Sequence, residues 1–303
     1  VASIREIKRR IKSIQNIAQV TRAMQMVAAS RMRRAQELAL ASRPYANKAW
    51  EILTHLAAQR GNVQRLHPLL TQRDPIKNVA IVLITADRGL AGAYNANIIR
   101  TTVRFMAENE REDAKLITVG RKGRDLMARY GRTIIAEFSD LPPYPTALDI
   151  APIAHVAIDG FLAGDYDEVL IAYTRFINTL RQEPAIRLLL PIHPGDPEGQ
   201  IVMSRHLTQE VTMATGEYLY EPDPVSLLDT ILPRFTELQI YQAILEARAS
   251  EESARMVSMR NATENANELI GDLTLTYNKV RQEAITKEML DIVGGAEALA
   301  QAS

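Results

Sequence analysis

Leu238-Gln-Ile-Tyr-Gln242-Ala-Ile-Leu245-Glu-Ala-Arg-Ala249-Ser-Glu-Glu252-Ser-Ala-Arg-Met256-Val-Ser-Met259-Arg-Asn-Ala-Thr263-Glu-Asn-Ala266 sets a mostly apolar or small seam at alternating steps of three and four. The series extends back to Ile231 and Phe235, and on through Ile270, Leu273, Tyr277, Val280 and Ala284. This is a heptad repeat, the period that winds helices into a left-handed coiled coil. No proline follows Pro233, and the only glycines are Gly271, Gly294 and Gly295, so the chain predicts one helix over 223–303. At about 1.5 Å per residue that helix spans on the order of 110 Å, too long for any compact domain.

A second seam occupies the start of the chain, at Ile4, Ile7, Ile11, Ile14, Ala18, Thr21, Gln25, Ala28, Met32 and Ala35. It predicts an N-terminal coiled-coil helix over residues 1–60, re-started at Pro44 with Ser42 as cap, and ended by Gly61 and Pro68. Residues 75–192 have another rhythm. Apolar runs of strand length at 78–84, 115–119, 133–138, 168–173 and 186–192 alternate with helical patterns, which predicts a mostly parallel sheet covered on both faces. Residues 193–222, rich in proline and glycine at their start, read as a mobile loop and a short strand. Asp223-Pro224 then opens the C-terminal coiled-coil helix, 223–303.

The fold class that follows is α/β: a long antiparallel coiled coil of the N- and C-terminal helices, plus a small doubly wound, Rossmann-like α/β domain inserted between them. The C-terminal helix is the longer by about twenty residues, so its last ~30 Å is expected to lack a partner within the chain. That end carries Met289, Leu290, Ile292 and Val293, an apolar surface that calls for a sleeve from another protein.

The 303 residues carry 36 Lys and Arg against 36 Asp and Glu, yet the balance is not local. Arg5, Lys8, Arg9, Arg10, Lys12, Arg22, Arg31, Arg33 and Arg34 face one acid, Glu6, at the start, whereas acids lead by roughly two to one after residue 220. Those cations could meet nucleic acid or acidic lipid, but the heptad period favours protein partners. With no cysteine, disulfides, thiolate metal sites and thiol catalysis are excluded. No apolar run reaches the ~20 residues that span a bilayer, and the expectation is a soluble or peripheral protein.

Two stretches resemble phosphate cradles. Thr85-Ala-Asp-Arg-Gly-Leu-Ala-Gly-Ala-Tyr-Asn95 follows a strand and precedes a helix, but lacks both Gly-x-Gly-x-x-Gly and the Gly-Lys-Ser/Thr ending of a P-loop. Gly120-Arg-Lys-Gly123 could face an anion, and a solvated helix start is the plainer reading. The five histidines show no metal spacing, and no catalytic constellation is present. A nucleotide-binding α/β protein with a coiled-coil dimerisation stalk is the competing reading.

Ile285-Thr-Lys-Glu288-Met-Leu-Asp291-Ile-Val-Gly-Gly295-Ala296-Glu-Ala298 resembles the signature of the γ subunits of F-type ATP synthases, with every fixed position filled. Thr21-Arg-Ala-Met-Gln-Met-Val-Ala-Ala-Ser-Arg-Met-Arg33, Ser42-Arg-Pro-Tyr45, Asp87-Arg-Gly-Leu90, Phe176-Ile-Asn-Thr179 and Tyr218-Leu-Tyr-Glu-Pro-Asp-Pro224 resemble further family motifs, so the likeness covers the whole chain. It implies a rotor that does no chemistry itself. The terminal helices would form a shaft inside three α and three β subunits, and the α/β domain a foot on the membrane c-ring beside ε. It also implies no cofactor in this chain, since ATP or ADP and Mg bind α and β, and no nucleic acid. Membrane association would be indirect, peripheral, on the cytoplasmic face of a bacterial plasma membrane, in a proton-translocating complex. Carried over by motif, Met24, Arg31, Arg33, Arg34, Asp87, Arg88, Arg281, Gln282, Thr286, Glu288 and Asp291 would face the α/β ring. Tyr218, Tyr220 and Glu221 would face the c-ring and ε. Ala91 stands where the family has cysteine, and the absence of cysteine excludes the thiol control of chloroplast γ subunits.

Overall fold

The computed structural model describes residues 4–59, 67–194 and 224–301, in two compact units: Ala28–Arg255, and Val1–Val27 with Met256–Ser303. The expected short strand, the Asp223 cap, and Tyr218, Tyr220 and Glu221 lie outside the described residues.

Ala28–Arg255 is built on a five-stranded sheet in the order β3-β2-β1-β4-β5, with β1 Val79–Ile84, β2 Lys115–Val119, β3 Ile134–Phe138, β4 Glu168–Phe176 and β5 Gln182–Leu190. The first four pair in parallel, with Ile81 opposite both Leu116 and Leu170. All six side chains of β1 are buried, which is why the strand reads as an unbroken apolar run. The pleat divides them: Ala80, Val82 and Ile84 enter one core, Val79, Ile81 and Leu83 the other.

The two cores have different covers. On one face Ile98, Ile99 and Met106 of α3 (Tyr94–Glu108) and Met127 of α4 (Arg121–Arg129) close the sheet. On the other, α5 (Ala147–Ala163) brings Ile150, Ile153 and Phe161. It shares that face with Trp50 and Leu53 of α2 (Arg43–Gln59) and with Leu228, Phe235 and Ile244 of α6 (Pro224–Gln301). Segments of the N- and C-terminal helical regions thus supply part of the sheet's second layer.

Two expectations change. β5 starts at Gln182 rather than near Ile186, and pairs antiparallel with β4 across a turn in which Asn178 Oδ1 accepts from the Leu180 and Arg181 amides. Its first half is polar and holds Pro184, as an edge strand allows, so no apolar run announced it. Ser42 stands between α1 (Ile4–Ala41) and α2, but its hydroxyl does not cap α2. It donates to the Ala39 carbonyl and to Gln242 Oε1, closing the preceding helix and tying it to α6.

In the unit formed by residues 1–27 and 256–303, α1 and α6 pair through the expected seams. Ile4, Ile7, Ile11, Ile14, Ala18 and Thr21 are buried or half-buried, as are Met259, Thr263, Ala266, Ile270, Leu273, Tyr277 and Val280. The hydroxyls of Thr21 and Thr263 meet at 2.6 Å, one donating to the other, and each also lies within hydrogen-bond reach of a carbonyl of its own helix. An antiparallel register through that pair sets Ile7 against Tyr277 and Ile4 against Val280. Every described side chain from Arg281 to Gly294 is exposed.

Candidate functional sites

The crevice at the carboxyl ends of β1 and β2 is where a doubly wound sheet would hold a nucleotide. Here the chain fills it. Gly123 N donates to Thr85 Oγ1 at 2.9 Å, Arg121 N to Asp87 Oδ1 at 3.1 Å, and Asp140 N to Asp87 Oδ2 at 3.2 Å. The first amides of α4 are thus satisfied by the chain's own hydroxyl and carboxylate, in the positions a phosphate would take. Gly120 has φ 97°, and a Cβ there would stand 2.2 Å from the Thr85 carbonyl oxygen. The only anions that Gly120-Arg-Lys-Gly123 meets among the described residues belong to the chain itself: Arg121 N donates to Asp87, and the Arg121 guanidinium pairs with Asp140. At the other end of the loop Asn95 Oδ1 accepts from Ala86 N.

Behind the loop, α6 carries a buried charge network. Arg255 binds Glu251 at 2.6 Å and Glu252 at 2.7 Å, and reaches the Gly89 carbonyl at 3.4 Å. Arg248 lies 3.3 Å from Glu251 and 4.0 Å from Asp87, and donates to the Leu141 carbonyl. Arg31 of α1 approaches Glu252 at 3.8 Å. Burial raises the Glu252 carboxyl above its ordinary value; Arg255 opposes the rise, Glu251 adds to it, and Arg31 opposes it more weakly. For Arg255, burial works against the charge, but Glu251 and Glu252 more than offset it and the guanidinium is held up. Burial likewise pushes the Tyr94 phenol far up, with Glu251 adding to the effect.

The outward surfaces are of two kinds. Arg281, Gln282, Thr286, Glu288 and Asp291 are all exposed, beside the apolar Ile285, Met289, Leu290, Ile292 and Val293. The Arg281 guanidinium lies 5.9 Å from the centroid of the Tyr277 ring, so a seam residue orients it. On α1, Arg31, Arg33 and Arg34 are exposed, Arg34 with Glu37 at 3.0 Å, and Met24 is half-buried. Of the loop pair, Arg88 is exposed, and Asp87 is half-buried, its carboxylate accepting from the backbone amides of Arg121 and Asp140.

The family model described as ATP synthase matches residues 3–299. The ATP synthase gamma chain of Dehalococcoides mccartyi is 50% identical over 301 residues, covering 99% of this chain and 100% of that one. The chain belongs to the ATP synthase gamma-chain family. The gamma chain of Roseiflexus castenholzii is 47% identical over 302 residues, 99% of each. Among solved structures, the central stalk and c-ring of the Tetrahymena thermophila mitochondrial ATP synthase contains a chain 25% identical, with a TM-score of 0.60, covering 80% of this chain and 99% of that one. A chain in the Euglena gracilis mitochondrial ATP synthase (OSCP, F1 and c-ring) shares the fold at TM-score 0.65 and 20% identity, over 98% of this chain and 94% of that one.

Sequence reasoning missed the charge network on α6. Glu252 was read only as a seam position. The signal was present: Glu251 and Glu252 stand four and three residues before Arg255, the spacing at which helix side chains pair.

Proposed function

We propose that this chain is the central rotor shaft of a proton-translocating F1Fo ATP synthase. In this reading it couples rotation of the membrane c-ring to successive conformations of the catalytic β subunits, and does no chemistry of its own. The observation that carries the reading is the end of α6, where Ile285, Met289, Leu290, Ile292 and Val293 are exposed along with every other described residue from Arg281 to Gly294. Such a surface needs cover from other chains, and a ring of three α and three β subunits would supply it. Met24, Arg31, Arg33, Arg34, Asp87, Arg88, Arg281, Gln282, Thr286, Glu288 and Asp291 are the proposed ring contacts. Tyr218, Tyr220 and Glu221 are the proposed contacts to ε and the c-ring.

A shaft drives three identical sites in turn only if its faces differ in interaction energy with each. Moving one site from 1:99 to 99:1 takes about 5.5 kcal/mol of differential binding. Cations on α1 and apolar groups on the end of α6 are the kind of unlike surfaces that can supply it. No helix among the described residues is long and apolar enough to cross a membrane, so attachment to the cytoplasmic face of a bacterial plasma membrane would run through the c-ring. Co-purification of one copy with three α and three β chains tests the proposal, and any other ratio overturns it. The competing nucleotide-binding reading is disfavoured by the filled α4 amides. ATP binding to the isolated chain by calorimetry would revive it.

A further inference from the structure

Glu252 is held unevenly. Its Oε1 lies 2.7 Å from Arg255 but 3.8 Å from Arg31, while Oε2 is buried and accepts no hydrogen bond. Arg255 is locked between Glu251, Glu252 and the Gly89 carbonyl. Arg31 is not locked: its side chain is 43% exposed against 8% for Glu252, and the gap between them is too long for a hydrogen bond. Its guanidinium therefore rests at the rim of the network, with donors left over for a group outside. The charges facing Glu252 are Arg255 and Glu251 on α6 and Arg31 on α1, with Arg248 and Asp87 beyond Glu251. Three cations and three carboxylates make this set neutral only while Arg31 stays with it.

We infer that Glu252 is a positioning residue for Arg31, holding the guanidinium at the rim by charge alone and yielding it to an acidic group of a partner subunit. This rests on the reading of the α1 cations as ring contacts. Arg31 is one of the ring contacts proposed above, but the tether behind it comes from the geometry of this chain. When Arg31 swings out, Glu252 keeps only Arg255 as a counter-charge, so its affinity for a proton rises. By linkage, engagement of Arg31 outside and protonation of Glu252 inside favour each other. The device sets the cation's direction at rest and makes its release reversible.

Two measurements test it. In the isolated full chain, the Glu252 carboxyl is titrated by carbon-13 NMR, with its signal assigned by loss in Glu252→Gln. Arg31→Gln should shift its midpoint upward, and an unchanged midpoint overturns the tether. In the assembled complex, ATP hydrolysis is compared for Arg31→Gln, Glu252→Gln and the double variant across pH. Arg31→Gln should slow turnover, by a factor that changes at least about two-fold when Glu252 is already Gln, as coupled sites do. Glu252→Gln should also remove a step from the pH profile. Factors that multiply independently, or an unaltered pH profile, overturn the proposal. If Arg31→Gln leaves hydrolysis unchanged in both backgrounds while the NMR midpoint still moves, the ring reading of Arg31 is what has failed, and the partner half of the inference falls with it.

Discussion

One helix, α6, holds two unlike stretches. From Gln239 to Ser253 only Tyr241 and Arg248 escape full burial, whereas from Arg281 to Gly294 nothing is covered. Both carry residues that look apolar in sequence, and both lie on the same regular backbone. The first is packed by β-sheet side chains, α2 and α5, and by its own ion network; the second is covered by none of the described residues. A helix gains stability where its faces are buried, so α6 is anchored in one stretch and available in the other.

The contrast can be broken most sharply at Phe235, which is fully buried and stacked on Trp50 at 5.8 Å. Phe235→Ala should cost about 3–5 kcal/mol in urea denaturation of the isolated chain. A loss below about 1 kcal/mol would mean that the first stretch is not an anchor. Next is Glu251→Ala. It strips Arg248 and Arg255 of a shared anion and should cost about 3 kcal/mol, the penalty of leaving a buried charge unpaired. Glu251→Gln, which keeps a hydrogen-bond acceptor, should cost less.

Glu252→Gln is read by sign. Because the folded carboxyl is held above its unfolded value of about 4.3, the folded state binds the proton more readily. Wild-type stability therefore falls as pH rises from the unfolded value through the folded one, and is flat above both. Glutamine does not titrate, so melting curves from acid to neutral pH should show the variant gaining on wild type across that window. A difference that is constant, or that runs the other way, removes the claim that burial dominates at Glu252. The smallest effects are expected at the uncovered end. Leu290→Ala should change the isolated chain's stability by less than about 0.5 kcal/mol. Removal of residues 294–303 should leave coupled ATP hydrolysis of the assembled complex largely intact, the end of α6 then acting as a bearing. Loss of torque on that truncation would instead make the apolar end a driving surface.

The two seams were legible because a heptad repeat is local: each position needs only its neighbours three and four residues away. Ile4 to Thr21 and Met259 to Val280 are covered as that spacing demands. β1 was equally plain, since a central parallel strand is apolar on both faces. β5 was only half legible, because an edge strand with Pro184 carries no such run. At Asp87 the motif could not say that the carboxylate also accepts from the amides of Arg121 and Asp140, 34 and 53 residues further along the chain.

By itself the sequence determined the helical period, the α/β rhythm of residues 75–192, the unbroken length of α6 and the membership of a family, all of which depend on residue order alone. The tertiary structure decided what covers each stretch. It put Glu252 between Arg31 and Arg255, set the Asp87 carboxylate on the amides of Arg121 and Asp140, and made part of α6 a layer of the sheet core. These outcomes depend on contacts between residues from tens to more than two hundred positions apart, where burial and charge pairing are properties of the packed chain and of no local pattern.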